Sequence, residues 1–205
     1  MPKKITAKKA TGKKFFTAKR SIGRVKKLPK KVISYLEKAG VPHEVIEHKT
    51  VYTAYDAAMT TGKKINEIAK SLLVKADKDY YVVILPADQN VNFEKLGQCI
   101  AKARGKDVRT IKIPGEKIMQ GLLNIKDETV SAFGKLHKLP VIAEKNLTKT
   151  KKALFSSGGL NHSIEMKVRD FLNIEDADLA VFGERRKAKK AAAKKKKVAI
   201  RKLSK

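Results

Sequence analysis

The pattern of apolar residues along this chain predicts an α+β fold: a mixed, strongly curved β-sheet flanked by helices, with a disordered basic tail at each end. Three observations carry that prediction. Residues 67–88, EIAKSLLVKADKDYYVVILPAD, read as two β-strands joined by a short polar turn, and the second is apolar at every position from Tyr80 to Leu85, as in a strand covered on both faces. Short strand-like runs then alternate with helical stripes of unequal length and no fixed period, which excludes a Rossmann rhythm and a barrel repeat. Finally, the formal charge of +28 is gathered at the two ends, leaving an ordinary globular sequence between them.

The elements follow in order. Between Pro29 and Ala39, Val32, Ile33, Leu36 and Ala39 form one helical stripe, stopped by Gly40 and Pro42 in the positions expected after a helix end. HEVIEH at 43–48 alternates like a short strand, and Thr53 to Met59 reads as a short helix. After the 67–88 hairpin, Asn92 is placed to cap a helix from Phe93 to Ala103. Val108 to Ile113 is strand-like, and Pro114 opens a short helix through Leu123. Strands are expected near Leu139–Ala143, at Ala153–Ser156 and at Ser163–Val168, with an SSGG turn between the last two and a final helical piece around Asp170–Leu172.

Charge divides the chain into three parts: an arm at 1–27, a domain at 28–183 and a Lys-rich tail at 184–205. Residues 1–31 hold 13 Lys or Arg and no acid, and residues 185–205 hold 12 and no acid, whereas 32–184 hold 23 basic against 20 acidic residues. A middle of that length is one domain with a core of its own. The arm interleaves Phe15 and Phe16 with lysines, a composition suited to phosphate contact and base stacking, and the tail is Ala/Lys-rich. Both are expected to be disordered when free. Nucleic acid is the favoured ligand; a solvated tail, an anionic membrane surface and an organellar address are the alternatives. Lys outnumbers Arg 11 to 2 in residues 1–31, against the Arg-rich transit type.

One charge in the hairpin stands out. At a period of two, Lys70 shares a strand face with Ile68, Leu72 and Val74. A lysine aimed into a central sheet needs an anionic partner or lines a cleft; at a frayed strand start or a sheet edge it snorkels to water instead. The other chemistry-bearing residues are quieter. Cys99 is the single cysteine and falls with Phe93, Leu96, Ile100 and Ala103 at helical spacing, which reads as core. His43, His48, His137 and His162 have no metal-ligand spacing, so neither a metal site nor a cofactor is expected. No apolar run approaches a membrane span and no hydrophobic signal core stands at the N-terminus, so a soluble, cytoplasmic protein is expected.

Five blocks in order then carry a resemblance: EHKTVYTAYDAA (47–58), EIAKSLLVKAD (67–77), YYVVILPADQNVNFEKL (80–96), SAFGKLHKLPV (131–141) and LFSSGGLNHSIEMKVRDFL (154–172). Together, over about residues 30–183, they resemble the YbaK domain family, which includes free-standing deacylases similar to the editing insertion domain of bacterial prolyl-tRNA synthetase. The resemblance implies hydrolysis of the ester between a wrong amino acid and the 3′ end of tRNA, with tRNA as partner and an aminoacyl-tRNA synthetase as a further candidate partner. It also implies that the family's essential lysine is Lys70 and that Tyr52 and Thr53 lie at the entrance of the acyl pocket. By the same resemblance the sheet is expected to fold partly into a barrel, and Ser131, Phe133 and Gly134, with the turn Ser157, Gly158 and Gly159, are expected to border the substrate; read alone, that turn is equally a plain strand turn using glycine's freedom in φ. An aminoacyl ester is already activated, so a charged donor such as Lys70 can stabilise the carbonyl oxygen or clamp the terminal adenosine, while the water's proton passes to the substrate's own 2′-hydroxyl or phosphate.

The chain also departs from the family. Where members usually carry G-x-x-x-P, it reads Glu128-Thr129-Val130-Ser131-Ala132, bringing bulk and negative charge toward an anionic substrate. Two functions stay open from the sequence. One is a trans-editing hydrolase whose basic arms bind tRNA. The other is a degenerate domain of the same family that binds nucleic acid or a synthetase complex without chemistry.

Overall fold

A computed structural model describes residues 28–123 and 129–185 of the chain; Glu128, the arm at 1–27 and the tail beyond Arg185 lie outside them, and the first two residues assigned to the tail, Glu184 and Arg185, belong to a strand of the domain. The first helix, α1 (Lys30–Lys38), buries Val32 and Leu36 and ends at Gly40, whose φ of 66° is the left-handed value a helix terminator needs. It is followed by β1 (His43–Glu47) and α2 (Ala54–Thr61). The hairpin β2 (Ile68–Ala76) and β3 (Asp79–Pro86) pairs antiparallel over its whole length, with Lys70 opposite Leu85. Beyond it come β4 (Gln89–Val91), α3 (Phe93–Arg104), β5 (Ile111–Lys112) and α4 (Glu116–Leu123). The remaining elements are β6 (Val141–Glu144), β7 (Lys152–Ser156), β8 (His162–Lys167), α5 (Val168–Glu175), β9 (Asp178–Ala180) and β10 (Gly183–Arg185).

The main sheet runs β1-β8-β7-β2-β3-β6-β9, with β5 on β2, and its path is open at β1 and β9. The β2–β7, β3–β6 and β6–β9 pairs are parallel and the others antiparallel, so the sheet is mixed and the β2–β3 hairpin occupies its centre. That position explains the apolar run in β3. Val82 and Ile84 enter one core with Phe133, Phe155 and Phe171, while Val83 and Leu85 enter a second with Leu96, Ile100 and Phe182. A third core holds α2 onto the sheet through Ala57, Ala58, Ile68 and Leu154.

Three short strands, β4, β9 and β10, carry no legible alternation. Each is three residues long and exists because a distant strand lies beside it, β10 against β4 and β9 against β6. The strand expected over Val108–Ile113 shrinks to Ile111–Lys112 because the amides of Arg109 and Thr110 are turned to the Asp77 carboxylate at 3.1 and 2.9 Å. Cys99 is half-buried rather than core: Leu96 and Ile100 fill the buried stripe of α3, and Ala103 is exposed.

Glu175 ends α5 at 2 % exposure. Its Oε2 accepts the Lys135 amide at 2.9 Å, placing an anion at the start of the 3₁₀ turn Gly134–His137. Burial pushes its carboxyl above the usual carboxylate range, against the lowering pull of that amide. With the folded-state value raised above 4.5, the folded form binds the proton more readily, so stability from this group is greatest at low pH and is lost as pH rises through the raised value. Glu175→Gln, which keeps an acceptor for the amide, is therefore expected to match or exceed wild-type stability at neutral pH and to flatten the pH dependence. Glu175→Ala should cost about 1 to 3 kcal/mol by orphaning the amide. Urea melts of both variants from about pH 4 to about pH 8 check the sign.

Candidate functional site

Lys70 sits on the central strand, its Nζ donating to the main-chain oxygen of Gln89 at 2.8 Å. Its strand face is the one predicted: Leu72 and Val74 belong to the second core and Ile68 to the third. The edge-strand alternative does not hold, since β2 is bonded on both sides. A half-buried cation at the middle of a sheet gains from an acceptor, and a carbonyl locked in a strand supplies one with fixed direction. No side-chain pattern in the sequence announces Gln89, because the group it contributes is main chain.

The Gln89 carbonyl is held from behind. Gln89 pairs with Arg185 in the two-stranded β4–β10 sheet. That sheet is fastened to β6 by Glu144, wholly buried, whose Oε2 accepts the amides of Phe182 at 2.7 Å and Gly183 at 2.5 Å. A Cβ on Gly183 would lie 2.0 Å from Gln89 Oε1 and 3.1 Å from the Glu144 carboxyl carbon, so a larger residue there would have to displace the Gln89 side chain.

The second part of the site is the SSGG turn, one residue beyond the last β2–β7 rung, Ala69–Phe155, where Lys70 and Ser156 leave the ladder on neighbouring strands. Ser157 Oγ donates to the His162 carbonyl at 2.6 Å, and the amides of Gly158 and Gly159 donate to the hydroxyls of Ser156 at 3.2 Å and Ser157 at 3.3 Å. These serines thus brace the glycine amides from inside the turn.

The 129–132 segment lies across it. Thr129 donates its amide to Gly158 O and Ala132 donates its amide to Ser156 O, both at 2.9 Å, while the hydroxyls of Thr129 and Ser156 meet at 3.0 Å. Ser131 is buried, its Oγ accepting the Phe133 amide at 3.2 Å. A proline at position 132 would have no amide to give to Ser156 O.

The other expected contacts divide. Tyr52 is 75 % exposed just before α2. Thr53 caps α2 in a reciprocal pair with Asp56, its Oγ1 taking the Asp56 amide at 3.1 Å. The segment joins the turn through main-chain bonds from His48 to Asn161 and from Val51 to Leu160. Phe133 has no exposed surface and meets Tyr35 and Phe171 edge-on, so its ring contacts core and not substrate. Gly134 likewise faces inward, where a Cβ would meet Val141 Cγ2 at 2.6 Å and Leu139 O at 2.7 Å. Both residues anchor the 129–132 segment from below.

Among the histidines, His48 has Nε2 against Ser163 Oγ at 2.9 Å and Nδ1 against Lys49 O at 2.8 Å, so both ring nitrogens serve the β1–β8 edge. His137 is half-buried, and burial, then the charge of Lys31, lowers its pKa below the ordinary histidine value. Among the described residues no group of three or more His, Cys, Asp or Glu is arranged to hold a metal. No helix among them is long and apolar enough to cross a membrane.

What the site offers is an oriented ammonium, a braced shelf of hydroxyls at Thr129 and Ser156, and a glycine turn open to close approach. Thr129, Ser156 and Gln89 are not singled out in the sequence; the first two flank residues that are, and only the fold brings Gln89 to Lys70 and Ser156 onto the strand beside it.

Comparison with known proteins supplies the context. The aminoacyl-tRNA editing domain family matches residues 48–174, well over half of the chain. Among solved structures, a hypothetical protein, APE2540, is similar at TM-score 0.65 and 20% identity, covering 75% of this chain and 99% of its own. A proposed trans-editing enzyme for prolyl-tRNA synthetase is similar at TM-score 0.64 and 19% identity, covering 76% of this chain and 96% of its own. A proposed signal transduction protein from Marinobacter aquaeolei VT8 is similar at TM-score 0.55 and 14% identity, but this chain corresponds to 31% of its length. At these identities the likeness is one of fold. No curated protein matches the chain closely enough to count.

Gly158 has φ 92° and its would-be Cβ lies 3.4 Å from Ser131 Cβ. Gly158→Ala is expected to destabilise the domain by about 1 to 2 kcal/mol through left-handed strain, read as a lower urea midpoint at unchanged m-value.

Proposed function

The chain belongs to the aminoacyl-tRNA editing domain family, and from that premise we propose that it is a trans-editing hydrolase, cleaving the ester that joins a wrong amino acid to the 3′ end of tRNA. The observation that carries the reading is Lys70, whose ammonium is held by the Gln89 carbonyl on the strand next to the one that ends at Ser156, where the Ser156 hydroxyl meets that of Thr129 and the glycine turn begins. The ester carbonyl lies toward Lys70, which stabilises the negative charge that grows on its oxygen as water adds. Collapse of that intermediate breaks the bond to the ribose oxygen and releases a carboxylic acid and a free hydroxyl. The water's proton goes to the substrate's own 2′-hydroxyl or phosphate, consistent with His48 being fully engaged in the sheet edge. Exposed Tyr52 stands at the entrance where the amino-acid side chain arrives.

In this reading residues 28–185 are the deacylase domain, and 1–27 and 186–205 are tRNA-binding arms that raise the local concentration of substrate. The setting is the cytoplasm, with a synthetase as a further partner. One sequence feature favours a second reading: Glu128 in place of the family glycine suits a domain that has kept tRNA or synthetase binding and lost hydrolysis.

Purified protein tested in single turnover against a panel of mischarged tRNAs, including alanyl- and cysteinyl-tRNA for proline, decides between them. Lys70→Ala is expected to lose on the order of a hundredfold or more in rate while melting like wild type. A variant within about threefold of wild type would remove Lys70 from the chemistry.

Deleting 1–27 and 186–205, which spares β10, is expected to weaken tRNA binding and leave the thermal midpoint unchanged. If the arms engage five phosphates, the slope of log K against log salt becomes shallower by about 3.5 to 4.5 on their removal. Equal slopes with and without the arms would mean that they serve something other than RNA.

A further inference from the structure

The near-neutral domain hides a strongly basic face. Lys63, Lys64, Lys149, Lys151 and Lys152 line a depression of about 470 Å³ between the turn after α2 and the start of β7, and Glu67 and Glu165 are its acids. An adjoining depression of about 890 Å³ shares Thr150, Lys151 and Lys152 with it and adds Lys167, Arg169 and Asp176. The loop entering β7, Lys145 to Lys152, contains four lysines and no acid. Lys63 is paired with Glu165 at 2.7 Å. The side chains of Lys64, Lys149, Lys151, Lys152, Lys167 and Arg169 make no ion pair among the described residues.

Folding alone does not account for this arrangement. Lys152 and Lys167 sit directly opposite each other in the antiparallel β7–β8 pair, where like charges repel and weaken the ladder. The domain between 32 and 184 has only three more bases than acids, so concentrating its cations on one face leaves the rest close to balanced. Such a face attracts a polyanion and steers its approach.

Position supplies the rest. The groove lies at the start of β7 and the SSGG turn follows its end, four residue steps from Lys152 to Ser156, or about 13 Å. At ~3.4 Å per phosphate along one duplex strand, that is about four phosphates.

We propose that the lysine-lined groove formed by Lys63, Lys64, Lys149, Lys151 and Lys152, continuing past Lys167, is a docking surface for the phosphate backbone of tRNA, setting the register that delivers the 3′ end to Lys70. The proposal rests on the editing reading for what it delivers, but the groove binds the RNA backbone whether or not an amino acid is attached. Contacts of this kind orient the nucleic acid and read no sequence. They differ from the arms in being fixed to the same strand that leads to the site.

The test uses the full chain. Lys149→Gln, Lys151→Gln and Lys152→Gln, all at exposed positions, are combined and compared with a control that removes the same charge at Lys78, Lys102 and Lys106, exposed at the hairpin turn and on α3, the far end of β2 from the groove. Binding of uncharged tRNA is followed by fluorescence anisotropy against salt. For the groove variant the slope is expected to become shallower by about 2 to 2.7, with little change for the control. Lysine acetylation footprints should show Lys149, Lys151 and Lys152 protected by tRNA.

Equal loss in both triple variants, or unprotected groove lysines, would overturn the proposal in favour of diffuse attraction by net charge. An unchanged slope would also overturn it and leave the lysines to an acidic protein. A wild type that hydrolyses no mischarged tRNA while the groove variant loses its salt slope would sink the editing reading and uphold the groove. An active wild type with an unaltered groove variant would do the reverse.

Discussion

A half-buried cation on the middle strand of a sheet gains from a fixed acceptor, and the way this chain meets that constraint at Lys70 organises much of what surrounds it. The acceptor is the Gln89 carbonyl. A carbonyl in a three-residue strand next to a tight turn would not hold its direction alone. β10 pairs with β4 to fix it, and the Glu144 carboxylate holds β10 by taking two consecutive amides, those of Phe182 and Gly183. The route from Lys70 to the last described residues is thus one continuous set of hydrogen bonds. At Gly183, where β10 passes over the Gln89 side chain, a larger residue would have to displace that side chain.

Two buried carboxylates act as main-chain connectors, in different circumstances. Glu144 uses both oxygens, accepting from Phe182, Gly183 and Asn146. Glu175 accepts the Lys135 amide through one oxygen, and its other oxygen is buried without a partner among the described residues. The second arrangement leaves a charge poorly compensated, in keeping with the raised carboxyl pKa. Its return is position: it fixes the turn that carries Gly134 and Phe133, and through them the 129–132 segment against the SSGG turn. The catalytic face and the core below it are therefore joined by main-chain contacts more than by side-chain packing.

That distribution explains how much could be read in advance. The β2–β3 hairpin, α1, α2, α3 and α4 follow from periodicity and caps, which are local, and Lys70 was conspicuous because it breaks a period of two on a strand that is otherwise apolar on that face. The short strands β4, β9 and β10 are defined by partners far away in sequence and leave no local trace. Ser157 and Gly158 were recognisable as a turn, yet the turn's real partner, Thr129, became visible only when the sheet brought it within 3.0 Å of Ser156. Phe133 and Gly134 were grouped with the substrate contacts because they adjoin them in sequence. The Gly134–His137 turn rotates them into the core, a distinction that neighbourhood along the chain does not encode.

Electrostatics act on two levels in the same molecule. The arms carry most of the formal charge, and a run of lysines gives a nucleic acid affinity without orientation where many pairings of lysines and phosphates are equivalent. A hydrolase that must bring one ester to one ammonium needs orientation as well, because a near miss of an ångström in the reacting atoms forfeits much of the rate. Only charges attached to the rigid sheet can supply it. Lys152 opens the strand that ends at Ser156, adjacent to the strand bearing Lys70, and Lys149 and Lys151 lie in the segment that leads into it. Moving the groove therefore moves the site with it. On the proposed docking, the arms would capture an RNA in any pose, while the folded face would select the pose in which its 3′ end lies on the Lys70 side of the sheet.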